Sequence, residues 1–213
     1  MLLNARIIYN KSDNLTEFLP QIRPDLCIIS ETFECEKRRL NSVLNPRQFK
    51  SISYYRKKRS SGGGCAIVYN ENWFSVSNLE IPAPDEIESC WALFTPKCLN
   101  SNQLKVKRIA VESYYVSPRS RHKQEVIHHI IDTIHILRAK YDNDVSFLIG
   151  GDFNRLDISD ILDSYGALKQ VISVPTRNTA TLEIILTDLH TMFHPPTTLP
   201  PIKQNHITEQ KPR

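Results

Sequence analysis

The sequence lacks the cysteine pairs that mark disulfide-rich and zinc-binding proteins. Its 213 residues include five cysteines, an odd number, and none of them forms a C-x-x-C pair. Neither a disulfide framework nor a zinc site is therefore expected. A reducing intracellular compartment, nuclear or cytoplasmic, is the simpler interpretation, and Cys27 inside the apolar run DLCIIS is predicted to be a small core residue.

Long apolar runs and a leader are also missing. No window approaches the roughly 20 apolar residues that a membrane helix needs. The first residues, MLLNARIIYNK, have neither a basic start nor a long apolar core, so we expect no signal peptide and no secretion. SSGGG, at residues 60–64, lacks the Gly-Lys-Ser/Thr ending of a nucleotide-binding loop and is interpreted as a turn. The net charge of +4 permits a polyanionic partner without requiring one.

What is present is a succession of short strand-like runs, rich in β-branched and aromatic residues and bounded by Pro, Gly, Asn or Ser. They include LLNARII, DLCIISET, FKSISYY, CAIVYN, WFSVSNLEI, SCWALFT, VKRIAVESYYV, VSFLIGG and TLEIILTDL. Strands so closely spaced predict sheets packed face to face, in a mixed α/β domain with helices outside two β-sheets. We assign residues 1–194 to this domain and residues 195–213, which are rich in proline and polar residues, to a disordered tail.

One segment has a helical period instead. Between Arg121 and Tyr141, apolar residues recur at steps of three and four, which predicts an amphipathic helix on a sheet. Its His128, His129 and His135 have no metal-binding spacing, and we expect them at the solvated face or its rim. Shorter helices are predicted at residues 14–21, after Asp13, and at residues 158–164, where Asp157 is a candidate cap.

The stretch FLIGGDFNR, residues 147–155, ends an apolar strand with Asp152 and Asn154. Residues two apart in an extended chain point to the same side, so a carboxylate and an amide would share one small volume, as suits a phosphate and its metal ion. A strand followed by an Asx-type turn explains the same residues equally well. Glu31, after the strand of CIISET, and Asn4, in the first strand-like run, are further candidates, although each alone also fits a solvated or edge-strand residue.

The order of these residues resembles the endonuclease/exonuclease/phosphatase superfamily, which includes deoxyribonuclease I, apurinic/apyrimidinic endonucleases and the endonuclease domains of non-LTR retrotransposons. The retrotransposon-type branch matches best, because LLNAR, PDLCIISET, SGGGCAIVY, YYVSP, LIGGDFNR, VPTR and LEIILTD occur in its order. This resemblance extends from residue 1 to about residue 189.

The resemblance implies a fold and a set of roles. The fold is a four-layered α/β sandwich of two packed mixed sheets, of the deoxyribonuclease I type. Glu31 matches an acid that binds Mg²⁺ or Mn²⁺, and Asn4 an amide that helps to hold metal or phosphate. Tyr115 matches a tyrosine near the scissile phosphate, with Tyr114 facing the other way. Asp152 matches the residue that activates the attacking water, and Asn154 an amide that donates to the phosphate.

The sequence departs from the family in its last third. Glu183 stands where the family has an aspartate, and the Ser-Asp-His motif of the final strand is absent. A positioned histidine contributes about 10² to 10⁴ in rate, so its loss predicts little or no activity. We therefore expect a C-terminally truncated domain or a relic of a mobile element, with one sheet edge left exposed.

Basic residues indicate the substrate. Arg56, Lys57, Lys58 and Arg59 form one cluster, which fits a grip on DNA or a solvated hairpin tip equally well. The segment SPRSRHK adds Arg119 and Arg121, and Arg177 of VPTR is a further candidate for contact with nucleic acid.

Three hypotheses follow. A metal-dependent DNA endonuclease leads, and its parent element would carry a reverse transcriptase module. The alternatives are a catalytically dead nucleic-acid-binding remnant and a phosphatase of the same superfamily.

Overall fold

The computed structural model describes residues 1–6, 8, 12–45, 47–56, 63–84, 87–97 and 107–199, without the side chains of residues 12 and 13. The strands are β1 (Leu2–Asn4), β2 (Leu26–Ser30), β3 (Phe49–Tyr54), β4 (Cys65–Asn70), β5 (Phe74–Leu79), β6 (Glu88–Pro96), β7 (Ile109–Tyr115), β8 (Ser146–Asp152), β9 (Lys169–Gln170) and β10 (Glu183–Thr187). The helices are α1 (Ser12–Ile22), α2 (Lys123–Lys140) and α3 (Ser159–Ser164), and short 3₁₀ helices span Leu40–Ser42 and His190–Met192.

The strands form two mixed sheets. The first has the order β1-β2-β4-β3, in which β1 and β2 are parallel and the other neighbours antiparallel. The second has the order β5-β6-β7-β8-β10-β9, in which only β7 and β8 are parallel. The prediction of two packed sheets is confirmed; the two-residue strand β9 is the one that the sequence patterns missed, because it is too short to show alternation.

Three apolar clusters separate four layers. One lies between α1 and the first sheet, a second between the two sheets, and a third between the second sheet and the helices α2 and α3. Cys27 is fully buried in the first cluster, and burial raises the pKa of its thiol to about 12. This arrangement confirms the four-layered sandwich.

Helix α2 lies within the segment predicted for it, but one of its three histidines is buried, contrary to the prediction. His128 and His135 are exposed as expected, whereas His129 is buried and packs edge-to-face on Tyr114, with ring centroids 6.3 Å apart. The expectation of a solvated or rim position for His129 is therefore wrong. It stands three residues after Val126, which places it on the buried face of the helix, and burial lowers its pKa.

The two shorter helices also form where the sequence predicts them, each within two residues of the predicted ends. Before α3, the Asp157 carboxylate accepts hydrogen bonds from the backbone N–H and the hydroxyl of Ser159, at 3.0 and 2.6 Å. These two bonds form a turn that leads directly into α3. None of the helices in the described part of the chain has the length and apolar character that crossing a membrane requires.

The end of the chain lies mostly outside the described residues. Residues 195–199 have no regular secondary structure and are largely exposed, and the rest of the predicted tail, residues 200–213, is not described. Within the described part of the chain, β1 and β3 are the outer strands of the first sheet, and no described strand follows β10. That a lost strand has left one sheet edge exposed stays a prediction.

Candidate active site

The candidate residues lie where several strands end at the same edge of the two sheets. Asn4 ends β1 and is aligned with Ser30 of the parallel strand β2, so Glu31 follows immediately beside it. In the second sheet, Tyr115 ends β7 in register with Asp152 at the end of β8. Glu183 begins the antiparallel strand β10, also opposite Asp152. The topology thus brings both sheets' polar strand ends together.

The amide of Asn4 is the point on which the carboxylates converge. Its Nδ2 donates to Asp152 Oδ2 at 2.8 Å and lies 3.4 Å from Glu31 Oε1 and 3.4 Å from Glu183 Oε1. The first of these bonds crosses between the two sheets. Residues 148 and 179 positions away from Asn4 in sequence are therefore in direct contact with it.

Arg177 completes this cluster. Its Nη2 donates to Glu183 Oε1 at 2.9 Å and to Asp152 Oδ2 at 3.3 Å, while 43% of the side chain stays exposed. The local cause is a tight turn, in which Thr176 Oγ1 accepts the backbone N–H groups of Leu182 and Glu183. This turn folds the VPTR segment back onto the start of β10, so the guanidinium faces the carboxylates.

The surroundings of the Asp152 carboxyl make it harder to ionise than a free aspartate. Burial is the main reason, and the neighbouring Glu183 carboxylate adds to it; together they raise the pKa of Asp152 to about 6, against the lowering effect of Arg177 and of the Asn154 N–H. The second oxygen of the buried Glu183 side chain, Oε2, has no hydrogen-bond partner among the described residues. The cluster therefore holds excess negative charge for which its own donors do not compensate.

Tyr115 faces the same edge. Burial, and the nearby carboxylates of Glu31, Glu88 and Asp152, raise the pKa of its phenol to about 12. The hydroxyl is therefore protonated at neutral pH and available as a hydrogen-bond donor. Its neighbour Tyr114 points to the opposite face of the sheet and is fully buried against α2 and α3, as predicted.

Asn154 is placed differently from Asp152. Strand β8 ends at Asp152, and Asn154 has a positive φ of 51°, so the side-by-side geometry of an extended chain does not apply. Its backbone N–H donates to Asp152 Oδ1 at 3.0 Å, and its side-chain Nδ2 donates to the carbonyl of Val116 at 2.6 Å. The Asx-type turn is thus present, and the Asn154 amide links the ends of β7 and β8.

The basic candidates other than Arg177 divide into three groups. Arg56 forms a partly buried ion pair with Glu88, so its guanidinium is already engaged by a carboxylate. Arg119 and Arg121 are exposed on the loop between β7 and α2, close after Tyr115 in sequence. Lys57, Lys58 and Arg59 lie outside the described residues.

Glu88 is the site residue that sequence reasoning missed. It begins β6 opposite Tyr115, is buried, and accepts the backbone N–H of Gly64 at 2.6 Å as well as the bond from Arg56. The available signal was an acid at the start of an apolar strand, but nothing local distinguishes it from a solvated strand-end acid.

The donor set suits a hard divalent cation. Carboxylate and amide oxygens are the ligands that Mg²⁺ and Mn²⁺ prefer, and the unpartnered Glu183 Oε2 shows acceptor capacity to spare. In the described part of the chain, no group of three or more His, Cys, Asp and Glu side chains is placed so that it could hold a metal ion. An open site is compatible with Mg²⁺, which proteins commonly hold through one or two carboxylates, with water and phosphate as the other ligands.

Comparison with known proteins gives matches in structure only. Neither the protein-family models nor the curated proteins searched by sequence match this chain. Among solved structures, an apurinic/apyrimidinic endonuclease from Leishmania major is similar with a TM-score of 0.63 and 10% identity, over 89% of this chain and 79% of that one.

Two further structures carry the same likeness. An endonuclease/exonuclease/phosphatase from Bacteroides vulgatus has a TM-score of 0.61 and 13% identity, over 87% of this chain and 85% of that one. The endonuclease domain of TRAS1, a telomere-specific non-LTR retrotransposon, has a TM-score of 0.56 and 12% identity, over 87% and 82%. The chain therefore has the deoxyribonuclease I-like fold of the endonuclease/exonuclease/phosphatase superfamily.

Proposed function

We propose that this protein is a metal-dependent phosphodiester hydrolase that nicks DNA, of the retrotransposon endonuclease type. The observation that carries the proposal is the meeting of Glu31, Asp152, Glu183 and Arg177 around the Asn4 amide. These side chains come from separate segments of both sheets, and burying two carboxylates, those of Asp152 and Glu183, next to each other is costly unless they serve a purpose. The ordered motifs and the likeness to a retrotransposon endonuclease domain support the DNA substrate.

Each side chain has a role that its chemistry allows. Asp152, once ionised, accepts a proton from the attacking water, and Asn4 and Asn154 hold that carboxylate in place through the bonds described above. The protonated phenol of Tyr115 and the guanidinium of Arg177 donate to the phosphate oxygens as negative charge develops. Glu31 and Asn4 are the proposed ligands of Mg²⁺ or Mn²⁺, which would supply charge neutralisation at the phosphate.

Further parts of the proposal concern the parent protein and its setting. A reverse transcriptase module in the parent element is part of the retrotransposon-type proposal. An intracellular site of action, in the nucleus or cytoplasm, is the setting in which such an enzyme meets DNA. The free thiols of Cys27, Cys35, Cys65 and Cys90 are in keeping with a reducing compartment.

A nucleic-acid-binding protein without hydrolytic activity is the second candidate. The observation that favours it is that, among the described residues, no histidine hydrogen-bonds to the cluster around Asn4. The proton-transfer step would then rest on Asp152 without a partner acid. A phosphatase of the same fold is the third, and the choice of substrate in the assay separates it from a nuclease.

Nicking of supercoiled plasmid by the purified full chain tests the proposal. We expect relaxation with Mg²⁺ or Mn²⁺, none with a chelator, and a loss of at least about 10²-fold in Asp152→Ala and in Glu31→Ala. Asp132→Ala, the same chemical change at an exposed position of α2, is the matched control and should keep full activity.

A folded wild-type chain that binds DNA but never nicks it would overturn the nuclease and support the second candidate. Hydrolysis of small phosphate monoesters with no action on plasmid would support the phosphatase.

A further inference from the structure

The loop that follows Glu31 carries a cluster of cations outside the site described above. Lys37 and Arg38 are exposed on a tight turn closed by reciprocal backbone hydrogen bonds between Cys35 and Arg38, at 3.2 and 3.0 Å. Arg39 comes next, and its guanidinium carbon lies 4.0 Å from the ring centroid of Tyr55. We call these four residues, Lys37, Arg38, Arg39 and Tyr55, the Arg39 platform.

Arg39 is held in place by partners beneath it. Its Nε lies 3.7 Å from Oε1 of Glu34, a carboxylate with a fully buried side chain, and its Nη2 donates to Ser53 Oγ at 3.4 Å. The same Glu34 oxygen accepts the backbone N–H of Leu40 at 2.6 Å, which fixes the loop on the carboxylate. Even so, 38% of the Arg39 side chain remains exposed. A stacked, anchored guanidinium loses little conformational entropy when it binds a further anion.

The platform lies at the same end of the strands of the first sheet as the candidate active site. Asn4 is aligned with Ser30, Ser30 with Cys65, and Cys65 with Tyr54, across the four strands of the first sheet. Three strand spacings of about 4.8 Å place Tyr54 roughly 14 Å from Asn4, and Tyr55 follows it directly.

The backbone between the two places is continuous and well bonded. The N–H groups of Thr32 and Phe33 donate to the carbonyls of Gly64 and Gly63 at 3.3 and 2.9 Å. Gly64 in turn donates to Glu88, the partner of Arg56. The loop that begins at Glu31 is thus hydrogen-bonded to Gly63 and Gly64, and Glu88 links Gly64 to the start of β6 opposite Tyr115. These bonds connect the platform to the strands that carry the cluster around Asn4.

We infer that the Arg39 platform is a binding site for the phosphate backbone of duplex DNA, several nucleotides away from the phosphate that is cut. The inference rests on the proposed function and narrows its substrate to a polynucleotide. A separation of roughly 14 Å corresponds to about four base pairs at 3.4 Å each, beyond the reach of a mononucleotide or a small phosphate ester. Three consecutive cationic residues at this distance from the cluster suit a polymer with regularly spaced phosphates.

A second cluster of cationic residues, at the opposite end of the strands, serves as a matched control for the platform. Arg108 is also 38% exposed, its guanidinium carbon lies 5.3 Å from the ring centroid of Tyr141, and it pairs with Asp144 at 3.5 Å. Lys107 and Lys140 are exposed beside it. These residues adjoin the starts of β7 and β8, whereas Tyr115 and Asp152 end those strands.

The test compares two triple variants that remove the same charge. Binding of a fluorescent duplex is measured by anisotropy at several salt concentrations, in chelator, for the wild type, for Lys37→Gln/Arg38→Gln/Arg39→Gln and for Lys107→Gln/Arg108→Gln/Lys140→Gln. We expect the platform variant to flatten the slope of log K against log salt by roughly two to three, at 0.9 for each lost phosphate contact, and the control variant to leave it nearly unchanged. Equal effects of the two variants, or no affinity of the wild type for DNA, would overturn the inference.

A second variant and a second substrate keep the test decisive. Lys37→Gln/Arg38→Gln leaves the contact of Arg39 with the buried Glu34 intact, so a folding defect cannot explain a change in its slope. With bis(p-nitrophenyl) phosphate as substrate, the platform variant should keep the wild-type rate, while its KM for nicking rises at least about tenfold. If the wild type hydrolyses neither substrate, the proposed function fails. The anisotropy comparison still shows whether the platform binds DNA.

Discussion

At the scale of single residues, Asp152 is subject to opposing electrostatic effects. It is buried next to Glu183 and also accepts hydrogen bonds from Asn4, Asn154 and Arg177. Burial and the second carboxylate outweigh these donors, so the ionised form is disfavoured in the folded protein. Such a conflict is typical of functional sites and is rarely retained elsewhere.

The pH dependence of stability follows from that conflict. The pKa of Asp152 is about 6 in the folded protein and about 3.9 in an unfolded chain, so the folded state holds the extra proton between these values. The free energy of unfolding should therefore fall as pH rises from about 4 to 7, by up to about 3 kcal/mol from this group.

Urea unfolding of the metal-free wild type and of Asp152→Asn, across that pH range, measures the effect. The stability of the wild type minus that of the variant should decrease as pH rises and then level off above about pH 7. Subtraction removes the titrating groups that do not interact with Asp152, and any constant loss of hydrogen bonds in the variant does not alter the slope. A difference that is flat or that increases with pH would contradict the assignment.

At the scale of elements, the pairing of β7 with β8 decides where Asp152 stands. Gly151, the residue before it, has a φ of 148°, and a Cβ placed there would lie 1.9 Å from the carbonyl oxygen of Tyr114. Only glycine allows the two parallel strands to approach so closely. The second glycine of the GGD motif therefore has a steric reason that is independent of catalysis.

A series of glycine substitutions tests this reason. Gly151→Ala should lower the free energy of unfolding by roughly 3 kcal/mol or more, because the clash is with backbone. Gly150→Ala should cost less, since its nearest contact, at 2.9 Å, is the end of the flexible Ile28 side chain. Gly166→Ala is the control: nothing lies within 4 Å of its Cβ, and a change within about 0.5 kcal/mol is expected. Equal stability of all three variants, measured by urea unfolding, would refute the argument.

At the scale of the whole molecule, the two sheets behave as one unit because they share a core. Phe94 of the second sheet is fully buried and packs edge-to-face on Tyr69 of the first sheet and on Phe74 of its own, with centroids 5.3 and 5.4 Å apart. The hydroxyl of Ser113 also donates across the gap to the carbonyl of Ile29, at 3.0 Å. Since the candidate active site takes side chains from both sheets, its geometry depends on this shared core.

Removal of the Phe94 ring should therefore destabilise the whole domain. Phe94→Ala is expected to cost about 3 to 5 kcal/mol, while unfolding stays a single transition with coincident fluorescence and circular dichroism curves. Phe193→Ala, at a position that is 42% exposed, is the matched control and should change stability by less than about 1 kcal/mol. Two separate transitions in Phe94→Ala would show that the sheets fold independently.

Local patterns in the sequence identify most of the strands and helices and the chemical types of residue in the candidate site. The periods of two and of about 3.6 residues identified the strands and α2, and the short runs with polar ends, such as CIISET and LIGGDFN, marked Glu31 and Asp152. These signals are local, because alternation, helical spacing and turn residues act within a few positions along the chain.

Which of these residues come into contact depends on how the sheets and helices pack. The bond from Asn4 to Asp152, the ion pairs of Arg177, and the burial of Glu88 and His129 depend on sheet order and helix packing. Local patterns cannot encode contacts between positions more than a hundred residues apart, since those follow from the burial of whole faces. The left-handed turn at Asn154 likewise overrode the expectation of an extended chain, because Asp152 and Val116 accept its two N–H donors.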